Sequence, residues 1–262
     1  MPIKLHINEK AHVAEITLNR PEKMNSLTME VIKKLYQYLD DLEKDDRVRV
    51  IILTGEGKAF CAGSDLNDRL SFTVQGDLPG TDAYLLEVRK SVNKLESLSK
   101  PVIAALNGHT IGGGLELALA CDIRIAAEKA KLGLTEVKVG AIAAAGGTQR
   151  LTRLVGLGQA LELVMSGELI DGIEAKRIGL VNRAVATEVV MQTARDLAQT
   201  IAQRAPLAAR MAKLAVKKGA EMRLEDALDL ESQYAYLLSK TEDRAEGMKA
   251  FLEKREAVFK GK

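Results

Sequence analysis

Residues 101–125 read PVIAALNGHTIGGGLELALACDIRI. Pro101 opens PVIAAL, a short apolar run of strand character. Gly112-Gly113-Gly114 then turns the chain, LELALA starts a helix, and Asp122 to Ile125 returns as a strand. Glycine permits close backbone approach and dihedral angles closed to other residues, so the triple glycine suits a tight strand-to-helix turn. Strand, turn, helix and strand in immediate succession predict an α/β fold.

The same alternation extends outward. Val48 to Leu53 (VRVIIL) is a strand apolar on both faces, as expected where helices cover it. Further upstream, Ile3 to Ile7 and Val13 to Leu18 alternate like a hairpin, and Asn19-Arg20-Pro21-Glu22 breaks the pattern as a loop. Thr28 suits the cap of an amphipathic helix with Val31, Ile32, Leu35, Leu39 and Leu42 on one face. Residues 54–80 carry glycines at 55, 57, 63, 76 and 80 and read as an extended loop region, followed by a helix to about Leu98. Downstream, a second small-residue tract runs from Gly140 to Gly147 (GAIAAAGG), and the pattern thereafter is mostly helical. Pro206 marks a change to helices only. The division placed near Thr200 separates a core of residues 1–200 from a helical region of residues 201–262.

Composition narrows the class. With 47% hydrophobic and 28% charged residues among 262, wholesale disorder is excluded. Lys plus Arg number 38 against 36 for Asp plus Glu, a balance that gives no argument for nucleic acid. Two cysteines make no disulfide framework. His6, His12 and His109 form no ligand cluster, so no metal is expected. The opening MPIKLHINEK has no leader-like apolar stretch, and no apolar run reaches membrane-spanning length; a cytoplasmic location is the expectation.

Three places carry candidate chemistry. A triple glycine before a helix exposes free N–H groups at the positive end of the helix dipole, where an anion or an oxygen gaining charge can bind. The phosphate fingerprints GxGxxG and GxxxxGK[ST] are absent. Glu116 lies in the otherwise apolar LELALA, and Glu136 precedes a run of small apolar residues; two carboxylates in such surroundings fit an acid/base pair if the fold joins them. The third place is KAFCAGSDL, residues 58–66, a bend of small residues after a strand that offers another backbone N–H. Cys61 and Cys121 lack a His/Asn arrangement and read as small buried hydrophobes. His109 reads as structural or pocket-lining.

Together these segments resemble the enoyl-CoA hydratase/isomerase superfamily, the crotonases. The likeness runs through LNRPEKMNSL, VRVIILTGEGKAFCAGSDL, KPVIAALNGHTIGGGLELALACDIRIA, GGTQRL, SGELIDGIEAKRIGLVNRAV and AFLEKREAVFKGK. It implies a spiral of ββα units with a C-terminal helical trimerisation region, trimers that pair into hexamers, and an acyl-CoA thioester substrate with no separate cofactor. It assigns an oxyanion hole to the backbone N–H groups of Ser64 and Gly113, and the acid/base pair of the hydratases to Glu116 and Glu136. Lys23-Met24-Asn25 and the backbone near Ala62 would border the pantetheine and adenine. Lys58 would lie where a basic residue meets phosphate. Phe259 and Lys260 resemble a Phe-Lys pair that closes over the nucleotide of a neighbouring subunit.

One departure stands out. Ala143 and Ala144 replace the usual Pro-Gly before GGTQRL, and the expectation is a reshaped acyl pocket that alters selectivity towards branched or cyclic groups. The loop from Asp68 to Asp82 is expected to shape the acyl end as well. Two other functions are open: double-bond isomerisation through Glu136 alone, and RNA binding through Arg204, Arg210, Lys213, Lys217 and Lys218. The basic stretch has no aromatic stacking residues, and a solvated helix face is the expected reading.

Overall fold

A computed structural model describes residues 1–65, 70 and 75–262, and all statements below concern these. The expected role of Asp68 to Asp82 falls partly outside them, at residues 68, 69 and 71–74. The strands are β1 (Ile3–Asn8), β2 (Val13–Leu18), β3 (Val50–Gly55), β4 (Ala59–Cys61), β5 (Val102–Leu106), β6 (His109–Ile111), β7 (Ile123–Ala127), β8 (Leu132–Gly133) and β9 (Arg183–Val185). One sheet has the order β1-β2-β3-β5-β7-β9, and a smaller one the order β4-β6-β8. The β1–β2 hairpin is antiparallel, with Ile3 opposite Leu18, and every other pairing is parallel. Successive strand pairs β3–β4, β5–β6 and β7–β8 each give one strand to the large sheet and one to the small. The chain therefore advances as the expected spiral of ββα units.

Helices fill the turns of that spiral. Thr28 caps α1 (Met29–Lys44), its hydroxyl accepting the Val31 N–H at 3.3 Å, and Val31, Ile32, Leu35, Leu39 and Leu42 are the buried face. The helices α2 (Leu78–Ser97) and α3 (Gly113–Ala120) close the first two units, and α4 (Gly147–Val155), α5 (Leu157–Ser166) and α6 (Gly172–Arg177) follow the third. Next, α7 (Val190–Ala202) lays Val190, Ala194, Ala198 and Ala202 on β3, β5 and β7. That stripe of small residues lets the helix lie close to a sheet face, which is why all six residues of β3 are buried.

Two sequence readings need correction. The stretch 54–80 is not one loop, because Ala59–Cys61 pairs into the small sheet and Leu78 opens α2. The region after Gly147 also contains a strand, β9, at the edge of the large sheet.

Beyond α7 come α8 (Pro206–Gly219), α9 (Leu224–Leu238) and α10 (Glu242–Leu252). The basic face of α8 is only partly solvated: Lys218 is exposed, but Lys213 and Lys217 turn to the core. Lys213 Nζ lies 2.6 Å from Asp122 Oδ2 and donates to the Lys100 carbonyl at 2.9 Å, and Lys217 Nζ lies 3.1 Å from Asp122 Oδ1. Desolvation explains the difference: a lysine folded against the core must find a carboxylate, and Asp122 on the α3–β7 turn supplies it. The final segment is also tied down, with Arg49 donating to the carbonyls of Ala202 and Phe259 at 2.9 and 2.7 Å. Among the described residues, no helix is long and apolar enough to cross a membrane.

Candidate active site

Two backbone segments converge at the N-terminus of α3. Asn25, buried and at φ +57°, stitches its loop to the next one. Its amide donates to the carbonyls of Glu56 and Ala59 at 2.9 and 2.7 Å, and its oxygen accepts the Arg20 N–H at 2.8 Å. The Ala62 N–H then donates to the Met24 carbonyl, the Leu27 N–H to Gly63, and the Asp65 N–H to Leu27. In that parallel bridge the Ser64 N–H points away from Leu27. Neither Ser64 nor Gly113 donates its N–H to an acceptor among the described residues. The two amides are neighbours: a β-carbon on Gly113 would lie 3.7 Å from Ser64 N. Behind Ser64, Ser26 Oγ and Arg20 Nη1 both donate to Asp65 Oδ2, at 3.0 and 3.2 Å, which fixes the bend.

Gly112 sits at φ +54° and ψ −125°, a conformation that only glycine adopts readily. It also lies against Glu136, since a β-carbon there would be 3.0 Å from Glu136 Oε1. Glu136 opens a short 3₁₀ turn, Glu136–Val139, after β8. Its Oε2 is buried without a hydrogen-bond partner among the described residues. Glu116, one turn into α3, is 4% exposed, and its Oε1 accepts the N–H groups of Ala145 and Gly147 at 2.7 and 2.8 Å.

Burial pushes both carboxyls above their ordinary range. For Glu116 the Gly147 N–H opposes that rise, the negative charge of Glu136 adds to it, and the Ala145 N–H and the Arg150 cation oppose it. Glu136 gains only its own backbone N–H in compensation. The fold thus joins the two glutamates in one electrostatically coupled site, beside a pair of backbone donors that bond no acceptor among the described residues. Such a site can take a proton at one carboxylate, give one at the other, and hold an oxygen that becomes negative.

The other named residues divide. Met24 and Ala62 are joined by a backbone hydrogen bond, with Lys23 exposed beside them and Lys58 exposed on the β3–β4 turn. Phe259 packs on its own chain, its ring 3.4 Å from where a Gly247 β-carbon would be. The Lys260 N–H donates to Asp243 Oδ1 at 2.7 Å. The cavities that Phe259 lines, of about 580 and 390 Å³, include none of Ser64, Gly113, Glu116 or Glu136. Ala143 is buried and Ala144 exposed. A β-carbon on Gly147 would touch both Ala143 Cβ and Glu116 Cγ, at 2.9 and 3.0 Å, which puts Ala143 beside Glu116.

Cys61 and Cys121 are buried, and burial pushes both thiols up to about 12. His109 accepts the Lys131 N–H at 3.3 Å through Nδ1, a structural contact. Sequence reading missed the part played by the Ala145 and Gly147 amides. The glycines in GAIAAAGG were the available signal, because they free the backbone to approach a side chain.

A family model described as enoyl-CoA hydratase/isomerase matches residues 8–262. YngF of Bacillus subtilis is 45% identical over 251 residues, covering 95% of each chain. A short-chain-enoyl-CoA hydratase of Clostridium acetobutylicum is 40% identical over 251 residues, covering 95% of this chain and 94% of that one. The crystal structure of an enoyl-CoA hydratase from Bacillus anthracis matches with a TM-score of 0.95 at 42% identity, over the whole of both chains.

Proposed function

The chain belongs to the enoyl-CoA hydratase/isomerase family, and from that premise we propose that it is a hydro-lyase acting on 2-enoyl-CoA thioesters. Water adds across C2=C3 to give a 3-hydroxyacyl-CoA, and the reverse step is dehydration. The observation that carries this reading is the unequal solvation of two coupled glutamates. Backbone N–H donors on Glu116 favour its charged form, whereas Glu136 Oε2 is buried with none.

Glu116, as carboxylate, takes a proton from a water held between the pair, and the water oxygen bonds to C3. The C2=C3 electrons move towards the thioester carbonyl, whose oxygen becomes enolate-like between the N–H groups of Ser64 and Gly113. Glu136 then delivers its proton to C2. Losing one such fixed donor costs about 3–4 kcal/mol. Microscopic reversibility exchanges the roles for dehydration. Isomerisation would need only one glutamate, and the paired arrangement favours hydration.

Coenzyme A enters as part of the substrate. Lys23, Met24, Lys58 and Ala62 border it, and Phe259 and Lys260 close over a neighbour's nucleotide in a homotrimer or a dimer of trimers. Exposed apolar side chains at Val139, Ile142, Leu157 and Met165 support burial against another copy.

Loss of absorbance of crotonyl-CoA tests the reading, run beside Glu116→Gln and Glu136→Gln. Wild type consumes the thioester, and each variant falls by about 10²–10⁴-fold while still binding CoA. Full activity in either variant overturns the mechanism. Oxygen-18 from labelled water must appear in the product; its absence turns the assignment to isomerisation.

A further inference from the structure

The turn that holds Glu116 is itself held from behind. Ala145 gives its N–H to Glu116, and its carbonyl accepts Arg150 Nη1 at 2.8 Å. Arg150 sits near the start of α4, its own N–H donating to the Gly146 carbonyl at 2.9 Å. The other arm, Nη2, donates to Asn93 Oδ1 at 3.0 Å and to Glu96 Oε2 at 2.5 Å, both on α2. The guanidinium therefore bridges α2 to the turn.

The side chain is only 13% exposed, and Nε is buried without a partner among the described residues. An unsatisfied buried N–H is costly, so the fork is held by its two ends rather than by general solvation. Gly146, at φ +101°, makes room for it, since a β-carbon there would lie 2.0 Å from Nη1.

From this geometry we infer that Arg150 is a positioning residue for the base. It fixes the Ala145–Gly147 turn so that both amides aim at Glu116, and it sets a cation behind them that favours the charged form of Glu116. The charged groups facing this assembly are Glu136 from the 3₁₀ turn, Glu96 from α2, and Lys213 and Lys217, whose charges act on Glu96 from α8. A lysine at 150 keeps the charge but has no fork to span Ala145 and Glu96 together. The inference rests on the hydratase reading for what Glu116 does with its charge.

The experiment measures kcat and KM for crotonyl-CoA against pH in wild type, Arg150→Met and Arg150→Lys. It adds an infrared titration of ¹³C-glutamate-labelled proteins, with Glu116→Gln identifying the Glu116 band. Arg150→Met is expected to lower kcat about 30-fold at pH 7, with KM within about twofold, and to move the acid limb and the Glu116 band to higher pH. Arg150→Lys returns the limb towards wild type and recovers part of kcat. If Arg150→Met does not fold, Arg150→Lys decides: wild-type kcat overturns the inference, and a reduced kcat with an unmoved limb supports it. A loss carried by KM alone, or a Glu116 band unmoved in Arg150→Met, also overturns it. If wild type hydrates no enoyl thioester, the hydratase reading fails, and the infrared titration still decides Arg150's hold on Glu116.

Discussion

A β-carbon on Gly114 would lie 2.2 Å from the carbonyl oxygen of Cys61, so helix α3 and strand β4 meet backbone to backbone. That contact sets the distance between the Ser64 and Gly113 amides, because each lies within three residues of it. Gly114→Ala must push the two elements apart. Overpacking of this kind costs about 1–3 kcal/mol, and a displaced oxyanion donor costs about 10²–10³ in kcat. Gly158→Ala is the control. It has open space around its α-carbon, so it keeps full activity and gains up to about 1 kcal/mol. Steady-state rates and denaturant unfolding of the two variants check the contrast. Equal activity in both would show that the separation is not critical.

The buried Glu136 oxygen makes stability depend on pH in a direction that can be worked out. Its carboxyl is raised above the ordinary 4.5 by burial, so the folded state binds the proton more tightly than the unfolded state. Its contribution is complete below the ordinary value and is lost as pH rises through the raised one. Glu136→Gln has no proton to lose. The variant is therefore expected to unfold at higher urea than wild type at pH 7.5, by on the order of 1 kcal/mol, with the gap closing towards pH 5. Measurements at one protomer concentration keep assembly from contributing. A gap that widens on acidification would reverse the argument.

Much of this site is legible in sequence, and the illegible part has a common cause. The five buried residues of α1 follow from 3.6-residue spacing, and Glu116 stands out because a carboxylate in LELALA has no local reason to be there. Strands β4, β6 and β8 are too short for any period to show, and they exist because they pair with one another. Lys213 looks solvated in its own helix because its partner, Asp122, is remote in sequence. Asn25 and Arg150 are hidden for the same reason, since both act through contacts with carbonyls that no local pattern announces.

Lys213 is 7% exposed and clamps α8 to Asp122. Lys213→Met leaves Asp122 with Lys217 and the Val102 N–H, so the carboxylate is only partly abandoned. The expected loss is about 2–4 kcal/mol in urea unfolding, towards the lower end for a pair with a second cation. The same geometry bears on RNA binding. Lys213 and Lys217 are engaged within the chain, so no salt-sensitive micromolar affinity for RNA is expected in filter binding. An affinity of that kind, lost in Lys217→Ala, would show the helix face to be available after all.

The thiols offer a check on burial itself. With both pushed up to about 12, roughly one in 10⁴ is thiolate at pH 8. Native protein is expected to react negligibly with a disulfide reagent, and two thiols appear once urea is added. Prompt reaction of Cys61 in the native state would mean that the β4–α3 contact opens.

The Ala143-Ala144 departure is testable by restoring Pro-Gly. The Ala143 N–H makes no hydrogen bond among the described residues, so a proline there forfeits no backbone contact. Its ring would add carbon atoms next to Gly147 and the Glu116 stem, where the alanine side chain now stops. If that space admits bulk near C3, Ala143→Pro/Ala144→Gly should lower kcat/KM for branched or cyclic enoyl thioesters relative to crotonyl-CoA. Each lost methylene contact in a pocket is worth about 1–3 kcal/mol, so the ratio should move by about tenfold or more. An unchanged ratio, with both rates intact, would make the two alanines a neutral repacking of the turn and return the question of acyl choice to other residues.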